Sequence, residues 1–402
     1  MNVLFLSLEV FGSIYDSNMY TDILREFMKN GHNVYSVSPI ERRHNGRTEL
    51  ICEDNSALLR LRIGNIQKTN LIEKGISTLL IEKQYINGIK KYFENIKFDL
   101  ILYATPPITF CNVIEYVKKR DGAISYLMLK DIFPQNAVDL GMFKKSGWTS
   151  IIYKYFRYKE KNLYKISDKI GCMSEENKIY VLKNNICVSS SKVEICPNCI
   201  EVVDKGVDID IKKKIRTKYK IPLDKKVFVY GGNLGKPQGI PFLIECLKSQ
   251  CLNNDVFFLV VGDGTEYSVL EQYYNNSNQK NFRLMRRMPK EDYDILVSAC
   301  DIGLLFLDHR FTIPNFPSRL LSYMQSRLPV LACTDPITDV GKVAVEGNFG
   351  WWCESNSVSD FDNTVKEIMN SNLKEKGNNA FVYLKEHYSA DVAYKVIMKE
   401  LD

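Results

Sequence analysis

Short apolar runs alternate with stretches of helical periodicity along this chain, and the pattern starts twice. In the first half, Val3–Leu8, Val34–Ser38, Leu58–Ile63, Leu100–Tyr103, Ile124–Leu129 and Ile170–Met173 read as buried strands. Helical patterns lie among them at Asp16–Lys29, Thr69–Asn95, Ile108–Arg120 and Trp148–Ile166. Strands that are apolar at consecutive positions are covered on both faces, as in a parallel sheet flanked by helices. Val193–Ile200 closes the first series, and a polar stretch, Glu201–Lys220, follows. The alternation then restarts with strands at Lys226–Tyr230, Val256–Val261, Phe282–Met285, Ile302–Leu307 and Pro329–Cys333. Its helices are Ile240–Lys248, Glu266–Tyr274, Lys290–Ala299 and one that begins near Pro317. Ser359–Met369 and Asp391–Leu401 read as terminal helices.

The expected fold class is α/β, with two doubly wound, Rossmann-like domains joined near residues 200–210. Residues 1–203 form the first domain and residues 204–385 the second, and a last helix at about 386–402 packs back on the first. A length of 402 residues agrees with two cores. Ligands of such sheets bind outside the carboxyl ends of strands, so residues just after strands are the candidates for function, and two facing domains would put the site in a central cleft.

Bulk properties exclude several classes. A net charge of +6 is too small and too dispersed for a nucleic-acid binder, yet compatible with a polyphosphate ligand or an acidic membrane surface. The opening apolar run lacks a basic region and is too short for a signal peptide. No apolar stretch approaches the ~20 residues that cross a bilayer. The eleven cysteines are scattered singly, as in a reducing cytoplasm. Cys196-Pro-Asn-Cys199 is a close pair without a second pair or a nearby histidine, so no metal is expected there.

Two glycine-bearing strand ends stand out in the second half. Tyr230-Gly-Gly-Asn-Leu-Gly-Lys-Pro-Gln-Gly239 lets backbone approach a ligand and adds the cation Lys236. It lacks the Gly-Lys-Ser/Thr ending of a Walker loop, and it reads equally as a phosphate cradle or as a tight strand-to-helix turn. Val260-Val-Gly-Asp-Gly-Thr-Glu266 has Tyr267 where a dinucleotide fingerprint needs its third glycine, so Gly262 is read as lining the same crevice. The segment Asn315-Phe-Pro-Ser-Arg-Leu-Leu-Ser-Tyr-Met324 opens a helix with Arg319 in its first turn and no carboxylate along it. A helix start favours anions. Asp308, His309 and Arg310, after the Leu307 strand end, read either as sugar contacts or as a solvated cluster.

Together, YGGNLGKPQGI, VGDGTE, ACDIGLLFL, FPSRLLSYMQSRLPVLA and, in the first half, YLMLKDIFPQNAVDLGMF resemble the family 4 retaining glycosyltransferases of the GT-B fold. The likeness is to their capsule and O-antigen type, the fucosamine-transferase-like subgroup. It implies a metal-independent hexosyl- or N-acetylhexosaminyltransferase. The donor is then a nucleotide-sugar, of UDP type, with no further cofactor. The acceptor is a polyprenyl-diphosphate-linked sugar or an oligosaccharide in bacterial surface polysaccharide synthesis. The donor diphosphate then lies between Gly232, Gly235 and Lys236 on one side and Ser318 and Arg319 on the other, with Asn233, Gly262 and Ser322 also on the donor side and Ser322 at the place that grips the ribose hydroxyls. The family's usual Arg and Lys in the glycine loop are replaced here by Asn233 and Gln238, which shifts the burden to Lys236 and Arg319. Its usual two glutamates fall on Pro314 and Ser322, with Glu346 as a stand-in from another loop.

On the acceptor side, Asp131 follows the Ile124–Leu129 strand and reads as the catalytic base or electrostatic partner of the acceptor hydroxyl, against a turn-capping role. Asp139 is read as structural, and Gly12 and Ser13 as lining the acceptor site. From Lys144 to Lys169, basic residues interleave with Trp148, Ile151, Ile152, Tyr155 and Phe156. This face is read as a peripheral contact with the anionic inner leaflet, or else as a helix packed on its sheet. Two other functions fit the fold: a catalytically weak binding partner, and a sugar-nucleotide epimerase. The epimerase needs clustered histidines and acids, and the four histidines show no cluster.

Overall fold

The computed structural model describes residues 1–66, 69–147 and 150–399. It divides into two compact units, Met1–Glu201 together with the segment from Ala390 onward, and Val202–Ser389. In the first unit the strands are β1 (Asn2–Leu6), β2 (Asn33–Glu41), β3 (Glu49–Glu53), β4 (Ser56–Ile63), β5 (Leu100–Ala104), β6 (Ile124–Leu129), β7 (Lys169–Cys172) and β8 (Val193–Ile195). They form one sheet in the order β3-β4-β2-β1-β5-β6-β7-β8. All neighbours are parallel except β3, which pairs antiparallel with β4 at the sheet edge. Period-two geometry sends Val3 and Phe5 into the core on one face and Leu4 and Leu6 into the core on the other. Covering both faces is what makes these strands apolar at every position.

The second unit contains β9 (Lys226–Asn233), β10 (Val256–Asp263), β11 (Phe282–Arg286), β12 (Ile302–Phe306), β13 (Val330–Thr334) and β14 (Gly350–Glu354). Their order is β11-β10-β9-β12-β13-β14, all parallel. Strands β12 and β13 are buried throughout. Chain order reverses between β9 and β12, so the loops leaving these two neighbours diverge and open a crevice at their carboxyl ends. In the first sheet the reversal falls between β1 and β5.

Several stretches differ from the sequence expectation. The polar run 201–220 is not a plain connector, because Asp208 accepts a hydrogen bond from Ile211 N at 2.8 Å and starts helix Ile209–Lys218. Lys212 and Arg216 of that helix each meet the largely buried Asp301 side chain at 2.5 Å, and Asp301 also accepts from Val227 N at 2.7 Å. Helices Glu175–Asn184, Val340–Glu346 and Leu373–His387, and strands β3 and β14, also went unread. Strand β8 stops at Ile195, earlier than expected. The last helix, Ala390–Lys399, belongs to the first unit and packs on helix Met19–Lys29. There the Tyr394 hydroxyl meets His32 Nε2 at 2.9 Å, and its ring lies 4.9 Å from Phe27. The expected end of that helix, Leu401, is outside the described residues. Among those described, no helix is long and apolar enough to cross a membrane.

Candidate active site

The crevice at β9 and β12 gathers most of the residues expected to hold a donor. Gly232, exposed at the end of β9, has φ of 121°, a conformation costly for any residue with a Cβ. A Cβ placed there would lie 3.7 Å from Arg319 Cζ, so the open backbone and the guanidinium share one surface. Arg319 opens the helix Arg319–Gln325, which is only seven residues long, and Ser318 before it makes no capping hydrogen bond. A helix this short adds little dipole, which moves the weight of anion binding onto the guanidinium itself.

That guanidinium is unusual in its company. It stacks on Tyr230 with Cζ 4.4 Å from the ring centroid, and Nη1 is buried without a hydrogen-bond partner. Burial acts to lower its pKa, but the oxygens of Tyr230, Tyr323 and Tyr293 outweigh this and raise it, so the cation persists. None of those neighbours is a carboxylate. The three tyrosines were not foreseen as site residues. One signal was available: Tyr323 follows Arg319 by four positions on a helix and therefore shares its face.

Several other expected donor residues make contacts within their own loops. Gln238 is buried, and its Oε1 accepts from Asn233 Nδ2 at 3.1 Å and from Gly235 N at 3.0 Å. The pair standing where a resembling enzyme has cations therefore braces the loop from within. Gly262 lies under Gly232, whose carbonyl a Cβ would overlap, so its role is close packing of β9 and β10. Asp308 is buried and accepts from Arg310 Nε at 2.8 Å and Nη2 at 2.7 Å. Burial pushes its pKa up, yet the Arg310 contacts prevail and lower it, which commits the carboxylate to its own loop. His309 is exposed beside it. Lys236 is exposed on the rim of the loop. Ser322 is half-buried one turn beyond Arg319. Glu346 ends a helix that runs back from the carboxyl end of β13, and it faces solvent opposite Lys342 at 3.9 Å. It is therefore not a substitute for the missing glutamate.

In the first unit Asp131 follows β6 beside the end of β5, where Thr105 Oγ1 accepts from Lys130 N at 3.0 Å and Asp131 N at 3.3 Å. The backbone is thus fixed, while the carboxylate itself caps no turn. Asp131 is exposed, yet nearby protein desolvates the carboxyl and pushes its pKa up to about 6. Tyr20, whose own pKa is raised by burial and then by Glu9 and Asp131, faces it. Asp139 instead accepts from Gln135 Nε2 at 2.6 Å, a local helix contact.

Gly12 and Ser13 take partners near their own loop. Their loop folds back along helix Met19–Lys29, with Arg25 Nη1 donating to Ile14 O at 2.9 Å. Ser13 Oγ donates to Glu53 at 2.8 Å, and Gly12 N to Asp16 at 2.6 Å. Cys196 and Cys199 are buried free thiols, and burial pushes Cys199 up to about 12.

Helix Ser150–Ile166 buries Ser150, Glu160, Leu163 and Tyr164. Its opposite face exposes Ile151 at 67% and Tyr158 at 62%, with Ile152 and Tyr155 between them and Lys154 and Lys161 alongside. Phe156 turns inward, 5.0 Å from Phe133. Trp148 lies outside the described residues.

Residues 211–382 match the family model for glycosyl transferases group 1. The second unit carries a group 1 glycosyltransferase domain. A probable glycosyltransferase of Pseudomonas aeruginosa, WbjE, is 22% identical over 324 residues, covering 80% of this chain and 78% of the relative. The Escherichia coli UDP-Gal:alpha-D-GlcNAc-diphosphoundecaprenol alpha-1,3-galactosyltransferase is 24% identical over 242 residues, covering 55% of this chain and 58% of that one. Among solved structures, Anabaena HepE in complex with UDP-glucose matches with a TM-score of 0.69 at 14% identity, covering 100% of this chain and 99% of that one. At that identity the likeness is one of fold, and the fold is GT-B. The group 1 domain spans the whole crevice at β9 and β12, Arg319 and Gly232 included.

Proposed function

We propose that this chain is a retaining glycosyltransferase that moves a sugar from a nucleotide-sugar, of UDP type, to a lipid-linked or oligosaccharide acceptor in bacterial surface polysaccharide synthesis. One observation carries the reading: Arg319, a cation with no anionic partner among the described residues, faces the open backbone of Gly232 at the switch point of the group 1 domain. A diphosphate leaving group supplies the missing anion, and a guanidinium can meet two of its oxygens with charge-assisted hydrogen bonds. Lys236 and the uncapped Ser318 hydroxyl add to the same rim. Fixed cations of this kind neutralise the charge that develops as the sugar leaves, which is the work a metal does elsewhere. Asp131 of the first unit is the base or electrostatic partner for the acceptor hydroxyl. A melting-temperature screen of the full chain against UDP, GDP, TDP and their sugars tests the donor reading. At least one species stabilises the protein; no stabilisation by any of them overturns it.

A second reading has its own observation. No carboxylate lies along Arg319–Gln325, Asp308 is tied to Arg310, and Glu346 faces solvent, which leaves the donor's ribose without an acidic partner among these residues. A partner protein that binds nucleotide without transferring sugar fits that picture. Stabilisation by a donor with no turnover on any acceptor would select it.

A further inference from the structure

A buried guanidinium is ordinarily met by a carboxylate, and leaving it unmet is costly. Arg319 is met by rings. Its Cζ lies over the Tyr230 ring, 4.4 Å from the centroid, and Tyr323 and Tyr293 complete the surroundings of its charge. Tyr230 and Tyr323 also have backbone anchors of their own. The Tyr230 hydroxyl donates to Asn233 O at 2.7 Å. The Tyr323 hydroxyl accepts from Gly231 N at 3.1 Å and donates to Leu304 O at 3.2 Å. The strands leave room for this arrangement. A Cβ at position 303 would overlap the Tyr323 ring, and one at position 231 would overlap the Tyr293 hydroxyl.

Aromatic faces and neutral hydroxyls attract a cation without cancelling its charge. A guanidinium held this way keeps its position and its full charge, and Nη1 stays unpaired until an anion arrives. Ser322 stands three positions after Arg319, where an acidic residue would be within ion-pairing reach and would quench it. We infer that Tyr230 and Tyr293 are positioning residues that hold Arg319 as an uncompensated cation for the diphosphate of the donor, so that the diphosphate carries most of the donor affinity. This rests on the reading of the second unit as the donor domain.

The test is titration calorimetry of the full chain with inorganic pyrophosphate and with UDP, at one fixed ionic strength. R319Q weakens pyrophosphate binding by about 30-fold, the scale of a lost charge-assisted pair. Y230F keeps the ring and stays within about twofold, while Y230L weakens binding roughly tenfold. Y293F, which removes the hydroxyl that meets Tyr323 and keeps the ring, weakens it about threefold. The decisive readout is the cycle: in an R319Q background, Y230L and Y293F each change affinity by less than about twofold. Equal losses in both backgrounds mark the tyrosines as merely structural and overturn the inference. So does an R319Q protein that binds pyrophosphate as the wild type does. If Y230L melts early without ligand, Y293F carries the cycle alone. A wild-type chain that binds neither probe removes the donor reading as well, whereas UDP binding that ignores R319Q removes only the role of the cage.

Discussion

A carboxylate that caps no turn and sits near pH 6 is ionised at neutral pH and still basic enough to take a proton usefully. If Asp131 is the base, it works in its charged form, so kcat/KM rises with pH through about 6 with a one-proton slope and is flat above it. Loss of the limb in D131N, together with a fall in turnover of at least about 100-fold and unchanged nucleotide binding, is the expected outcome. A limb that survives the substitution assigns the titration to another group. At this scale Arg319 was singled out by the helix start it lies in and Asp131 by the strand before it. It told little about their surroundings. Tyr230 and Tyr293 are indistinguishable from core aromatics until the sheet brings their segments beside Arg319, while Tyr323 was marked only by its spacing from Arg319. Asp308 looked available for the same reason: its partner Arg310, two residues on, takes the carboxylate only once the loop has its shape.

Elements were legible where burial on both faces writes a continuous apolar run, as in β9, β10, β12 and β13. They were missed where that signal is diluted. Strand β3 is an edge with exposed positions at Glu49 and Leu50, and helix Ile209–Lys218 buries little besides Arg216. That helix is held by charge: Arg216 is buried against Asp301, and Lys212 joins them. Burial would raise the Asp301 pKa, but the two cations and the Val227 amide hold it low. Removing a partner from a buried pair leaves charge uncompensated, so D301N lowers unfolding free energy by about 3 kcal/mol in urea titration. A loss under about 1 kcal/mol would mean that solvent screens the cluster as it does a surface pair.

On the scale of the whole molecule, two α/β units and their approximate limits were readable from the doubled alternation. The last helix, expected to pack back on the first unit, makes contacts there such as Tyr394 with His32. The exposed stripe of Ile151, Ile152, Tyr155 and Tyr158, with lysines beside it, has the composition of a surface that lies on anionic headgroups. Co-sedimentation with anionic vesicles at low salt is expected for the wild type and lost in an I151E/I152E/Y158E variant. No sedimentation at low salt would end the membrane proposal without touching the donor site.

Sugar transfer itself is the decisive measurement. The full chain is incubated with whichever nucleotide-sugar raises its melting temperature and with polyprenyl-diphosphate-linked and oligosaccharide acceptors, and products are read by mass spectrometry. The expected result is an acceptor heavier by one sugar residue, a released nucleoside diphosphate in equal amount, and neither product from D131N. A bound donor recovered intact from every acceptor would contradict the proposed activity and leave a nucleotide-binding partner in its place.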